Sequence, residues 1–110
     1  MTEDVLARLA ETIHQRRSET AERSYTRQLL EAGPEKCARK LGEEAVETII
    51  AGTSQGDQEL TSEAADLIYH LIVLLEARGV AWSDVTAELQ RRMGTSGLAE
   101  KASRAGGSMS

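Results

Sequence analysis

The chain has no phenylalanine, one tryptophan and two tyrosines, so any core it builds must come mainly from aliphatic side chains. A single cysteine, Cys37, excludes an intrachain disulfide and suits a reducing compartment. It reads as a small buried residue rather than a catalytic thiol. Positive charge is also in short supply: 13 Lys and Arg stand against 18 Asp and Glu, a net charge of −5. That balance excludes a general nucleic-acid binder, which needs a basic surface to release phosphate counterions. A small anionic substrate would need the help of a metal ion. The longest nearly apolar run, Leu67 to Leu75, contains Tyr69 and His70 and is too short for the ~30 Å hydrocarbon layer of a membrane. Glu3, Asp4 and Arg8 interrupt the stretch after Met1 where a secretory segment would lie. A cytoplasmic protein with no membrane partner is expected.

What the chain does have is helical periodicity without strand-like alternation or repeats. At 110 residues it fits one domain with a modest core, which makes burial against a second copy attractive. Val5, Leu6, Leu9 and Ile13 predict a first helix over residues 2–15 with Thr2 as its cap. Arg16 to Arg23 lacks an apolar stripe and is expected to fray or loop. A short helix carrying Leu29 and Leu30 ends at Gly33-Pro34, where Gly closes one helix and Pro opens the next. A long helix then runs from Glu35 to about Ala51, stopped by a turn over residues 52–57, and another from Gln58 to Arg78, stopped by Gly79. The pair predicts an antiparallel hairpin. Trp82, Val85, Leu89 and Met93 mark the last helix. The expectation is an all-α antiparallel bundle of four to five helices over residues 1–93, its core completed by oligomerisation, followed by a disordered tail over 94–110.

Two acidic motifs stand out: Glu43-Glu44-x-x-Glu47 in the first long helix and Glu63-x-x-Asp66 in the second. A spacing of three puts Glu44 beside Glu47, and Glu63 beside Asp66, on one side of a helix. Facing pairs would repel by roughly 3 kcal/mol per pair of charges at ~6 Å and an effective dielectric of ~20. A hard divalent ion such as Mg²⁺ removes that penalty and leaves room for a phosphate substrate. On a helical projection Lys36, Lys40, Glu43, Glu44 and Glu47 share one arc, with Leu41, Ala45, Thr48 and Ile49 on one edge and Val46 and Ile50 on the other. That pattern suggests a polar groove between packed elements rather than a solvated face. In the next helix apolar residues cover most of the circumference, leaving Glu59, Glu63, Asp66 and His70 as its polar face. The ordinary alternative is a set of surface acids in i,i+4 salt bridges. His70, one turn after Asp66, reads as a histidine that orients that carboxylate, ahead of a general base or metal ligand. Lys36 and Lys40 either neutralise the neighbouring glutamates or bind phosphate.

Other chemistries fit less well. A di-iron carboxylate bundle needs two Glu-x-x-His motifs and only Glu11-x-x-His14 occurs. Gly42 and Gly52 are isolated, so there is no phosphate-binding Gly-rich loop, and nothing marks a nucleophile elbow. A non-enzymatic helical dimerisation module would explain the aliphatic helices but not two inward carboxylate pairs.

Ser24-Tyr25-Thr26, Leu29-Leu30 and Gly33, Lys36, Lys40-Leu41-Gly42-Glu43-Glu44-Ala45-Val46-Glu47, Ala51 and Glu63-Ala64-Ala65-Asp66-Leu67-Ile68-Tyr69-His70-Leu71 together resemble the phosphoribosyl-ATP pyrophosphohydrolase family, from about Val5 to Arg92. The acidic pattern alone is shared with the wider MazG-like all-α nucleoside triphosphate pyrophosphohydrolases. Ser24-Tyr25-Thr26 and Tyr69-His70 narrow the choice, which leaves house-cleaning nucleotide hydrolysis of the MazG or dUTPase type as the alternative. The resemblance implies a MazG-like homodimer or higher oligomer that hydrolyses phosphoribosyl-ATP to phosphoribosyl-AMP and pyrophosphate, the second step of histidine biosynthesis. It further implies Mg²⁺ on Glu44, Glu47, Glu63 and Asp66, with Glu43 as proton acceptor. Lys36, Lys40, Ser24, Tyr25, Thr26 and His70 are then the substrate-binding set. Ala81 stands where the family often has a Ser able to cap the last helix.

Overall fold

In a computed structural model describing residues 4–94, the chain forms five α-helices: α1 (Val5–Gln15), α2 (Tyr25–Ala32), α3 (Pro34–Ser54), α4 (Asp57–Ala77) and α5 (Trp82–Met93). No strand occurs among the described residues, in keeping with the expected all-α class. Among the described residues no helix is long and apolar enough to cross a membrane.

Side-chain caps set several boundaries. The Asp4 carboxylate accepts from the Leu6 and Ala7 amides at 3.0 and 3.2 Å, so Asp4 caps α1 in place of Thr2, which lies outside the described residues. The polar stretch after α1 tightens into a 3₁₀ turn at Arg16–Ser18. Ser24 Oγ accepts from the Arg27 amide at 3.0 Å and starts α2. Gly33 then serves two helices, its N–H reaching Leu29 O at 3.2 Å and its carbonyl accepting from Cys37 N at 3.1 Å. Its φ of 101° is one that only glycine adopts without strain, and Pro34 opens α3 behind it.

Against the stop expected at Ala51, α3 continues to Ser54. Thr53 and Ser54 fold their hydroxyls back onto the carbonyls of Ile49 and Ile50 at 2.8 and 2.9 Å, so these side chains find acceptors within the helix. Only Gln55 and Gly56 then link α3 to α4, and these two helices form the most extensive pairing in the fold. Their register is antiparallel: Gly52 faces Leu60, Thr48 faces Glu63 and Glu44 faces Asp66. Helix α4 also packs on α1 and α2, which makes it central. The core is small: Ile13 of α1, Leu29 of α2, Cys37 and Ala51 of α3, and Ile72 and Val73 of α4. Leu67, Ile68, Leu71, Leu74 and Leu75 remain only half-buried.

This compact unit ends at Val80, and α5 belongs to a second. Ala81 offers no side-chain cap. On α5, Arg91 and Arg92 bond the Glu88 carboxylate at 2.7 and 3.0 Å and hold its pKa down to about 2. Of the tail expected to be disordered, all but Gly94 lies outside the described residues.

Candidate active site

The antiparallel register brings the two acidic motifs face to face. One carboxylate oxygen from each of Glu44, Glu63 and Asp66 can be chosen so that all lie within 4.8 Å of one another. Glu44 is only 9% exposed, Glu63 is half-buried and Asp66 opens to solvent. Burial and a hydrogen bond with Glu47, followed by the charges of Glu47, Asp66 and Glu44, push the Glu63 carboxyl above its usual range. Glu47 is thus the fourth acid of the cluster, although it is itself exposed. The hydroxyl of Thr48 lies 2.7 Å from Glu44 O and 3.2 Å from Glu63 O, tying α3 to α4 beside the carboxylates. Sequence reasoning placed Thr48 among the flanking residues. Its bond within α3 follows from spacing, but its contact with α4 depends on a register no spacing reveals.

Glu43 is exposed, is not one of the three converging acids, and pairs with Lys40 at 3.0 Å. That hydrogen bond, and then the Lys40 charge, hold the Glu43 carboxyl below its usual range. Lys40 and Lys36 line a cleft of about 340 Å³ together with Tyr25, Gln28, Leu29 and Ala32. Glu44 follows Lys40 by about one turn on the same side of α3, a rise of ~6 Å. Gln28, missed in the sequence, also donates to Ala21 O at 2.7 Å and so anchors the loop before Ser24.

The remaining candidates are more enclosed. Ser24 is buried as the α2 cap, and the hydroxyl of buried Thr26 bonds that of Tyr69. His70 Nδ1 donates to the main-chain carbonyl of Asp66 at 2.9 Å, not to its carboxylate, so the ring stabilises the helix turn that carries Asp66. Its Nε2 faces Tyr25 Oη at 3.4 Å.

The acids fit a small hard cation. Two oxygens on an octahedral Mg²⁺ at ~2.1 Å stand about 3 Å apart when adjacent and about 4.2 Å when opposite, within the spread seen among these three residues. Glu44 Oε1 and Glu63 Oε1 are moreover buried without a hydrogen-bond partner, an unfavourable state for a carboxylate that coordination would relieve.

The family model described as phosphoribosyl-ATP pyrophosphohydrolase matches residues 6–93. A protein of Dinoroseobacter shibae named phosphoribosyl-ATP pyrophosphatase is 57% identical over 100 residues, covering 91% of this chain and 98% of its own. One of the same name from Paracoccus denitrificans is 58% identical over 99 residues, covering 90% and 92%. Phosphoribosyl-ATP pyrophosphatase 1 of Bradyrhizobium diazoefficiens is 54% identical over 96 residues, covering 87% and 91%. With a match running through α1 to α5 and embracing both acidic motifs, the chain belongs to the phosphoribosyl-ATP pyrophosphohydrolase family.

Proposed function

We propose that this protein hydrolyses phosphoribosyl-ATP to phosphoribosyl-AMP and pyrophosphate in the second step of histidine biosynthesis, as a cytoplasmic enzyme dependent on Mg²⁺. The observation that carries the reading is the pair of buried, unpartnered carboxylate oxygens of Glu44 and Glu63 beside Asp66. Glu44, Glu47, Glu63 and Asp66 hold the ion, which when bound neutralises triphosphate charge and polarises the attacking water. Glu43, kept ionised by Lys40, accepts the proton that this water loses. Lys36 makes no ion pair among the described residues and is available to phosphate oxygens at the cleft. Lys40 swings between Glu43 and the same oxygens. His70 and Thr26 support the cleft wall, with Tyr25 as its substrate-facing group.

Residues 1–93 act as one pyrophosphohydrolase domain, and a second copy completes its core. Val46, Ile49 and Ile50 on α3 are 46–63% exposed, and most of the apolar circumference of α4 is only half-buried. Burial against an identical helix pair removes both from water. Light scattering on the purified protein is expected to give a dimer or larger.

The activity test measures pyrophosphate release from phosphoribosyl-ATP with and without Mg²⁺, beside ATP, dUTP and dCTP. Metal-dependent turnover that is fastest on phosphoribosyl-ATP is expected. Faster turnover of dUTP or dCTP would move the protein to the house-cleaning hydrolases.

A further inference from the structure

Aromatic side chains are scarce in this chain, yet both tyrosines gather with one histidine, and Tyr25 brings that group to the edge of the cleft. The Tyr25 and Tyr69 rings stack with centroids 6.4 Å apart, and His70 meets Tyr69 edge-on at 4.9 Å and Tyr25 at 6.2 Å. Tyr25 is 49% exposed and lines the cleft, whereas His70 is 6% exposed behind it.

Proton positions in this group follow from what each atom can do. A main-chain carbonyl only accepts, so His70 Nδ1, 2.9 Å from Asp66 O, carries the hydrogen. In the neutral ring Nε2 is then a bare acceptor, and the Tyr25 hydroxyl 3.4 Å away is the donor to it. That distance is at the long end for such a bond. With its one hydrogen turned inward, Tyr25 Oη offers the cleft only lone pairs. Phosphate oxygens are acceptors too and gain nothing from it, whereas a hydroxyl or N–H group does. The cleft thus divides its labour between Lys36 and Lys40, which present donors, and Tyr25, which presents an acceptor.

We propose that Tyr25 is a specificity residue whose oxygen, made an acceptor by His70, receives a hydrogen bond from a hydroxyl or N–H of the substrate's nucleoside portion, and that His70 is a positioning residue acting through Tyr25. This rests on the phosphoribosyl-ATP reading, which supplies a substrate with such donors away from its phosphates.

Steady-state kinetics at saturating Mg²⁺ and pH 8 test it. One lost hydrogen bond corresponds to roughly a tenfold change, so Tyr25→Phe, which keeps the ring, should raise KM about tenfold with kcat within about twofold. Competitive inhibition by pyrophosphate, which touches only the phosphate end, should stay within about twofold. His70→Leu should reproduce the KM rise, His70→Gln should largely restore it through its amide oxygen, and adding His70→Leu to Tyr25→Phe should change KM by less than about twofold. An unchanged KM in Tyr25→Phe, an equal loss of pyrophosphate inhibition, or additive effects of the two substitutions would each overturn the proposal. If His70→Leu fails to fold, Tyr25→Phe with the pyrophosphate control decides alone. A wild-type protein that releases no pyrophosphate from phosphoribosyl-ATP removes the substrate assignment itself, and the tyrosine assignment with it. Normal wild-type turnover with an unaltered Tyr25→Phe removes only the latter.

Discussion

Glu63 and Glu76 lie toward opposite ends of the same helix, and their surroundings have opposite sign. Glu76 is gripped by donors from the first helix and the turn after it: Arg17 Nε and His14 Nδ1 bond its carboxylate, the latter at 2.9 Å, and a second Arg17 nitrogen bonds its carbonyl at 2.6 Å. Burial alone would raise its pKa, but the Arg17 and His14 hydrogen bonds outweigh that and hold it below the usual range. Around Glu63, burial and three neighbouring acids all push upward, and no cation among the described residues pairs with it. One carboxylate fastens α1 and its 3₁₀ turn to α4; the other is left unfavourable until something charged arrives. The fold supplies Arg and His at one end of this helix and leaves the acids at the other, among the described residues, without them.

The largest expected effect breaks the functional end. Glu44→Gln keeps the shape and removes the charge, and pyrophosphate release should fall by roughly 10³-fold while far-ultraviolet circular dichroism is unchanged. Activity within tenfold of wild type would take Glu44 out of the ion-binding set. Glu63→Gln should be equally inactive, yet in metal-free buffer it should melt at a higher temperature than wild type, because it removes a charge that its neighbours repel. A lower melting temperature there would mean that the acids are satisfied within the fold, and the contrast with Glu76 would collapse.

The functional end was legible in the sequence and the structural end was not, for a physical reason. Spacings of three within α3 and α4 are fixed by helix geometry, and a short link forces the helices antiparallel, so Glu44, Glu63 and Asp66 had to approach each other. Arg17 and His14 reach Glu76 across 59 and 62 residues, and no local rule connects positions so far apart. The same limit hid the bridge from Thr48 to Glu63. His70 and Asp66 lie one turn apart, where spacing alone does not distinguish a bond to the carbonyl from one to the carboxylate. The misplaced boundaries are local: Asp4 takes the α1 cap, and α3 runs past a glycine that composition marks as a stop, with the hydroxyls of Thr53 and Ser54 bonded back to its carbonyls.

A smaller effect probes the structural end. Glu76→Gln removes the charged acceptor of Arg17 and His14 and should cost about 1–2 kcal/mol of stability, with pyrophosphate release per folded molecule unchanged. Because the folded-state pKa of Glu76 is depressed, its contribution is fully present above the unfolded carboxyl range near 4.5 and is lost as pH falls through the lower folded value. Chemical denaturation of wild type and Glu76→Gln should therefore show a gap at pH 7 that narrows on acidification below about pH 4.5. A gap independent of pH would mean that the side chain stabilises by packing and not by charge.

The smallest effect supplies a reference free of charge. Gly52 sits in α3 against α4, and a Cβ added there would meet Leu60 Cδ1 at 3.6 Å, an ordinary van der Waals distance. Glycine within a helix costs up to about 1 kcal/mol relative to alanine, so Gly52→Ala should stabilise the hairpin by about 0.5–1 kcal/mol. It alters neither acid end, so it should raise the melting temperature equally in the wild-type, Glu44→Gln and Glu76→Gln backgrounds and leave pyrophosphate release unchanged. Unequal gains would show that the charge substitutions disturb the α3–α4 packing itself, and their losses could then no longer be assigned to coordination at one end of α4 and ion pairing at the other.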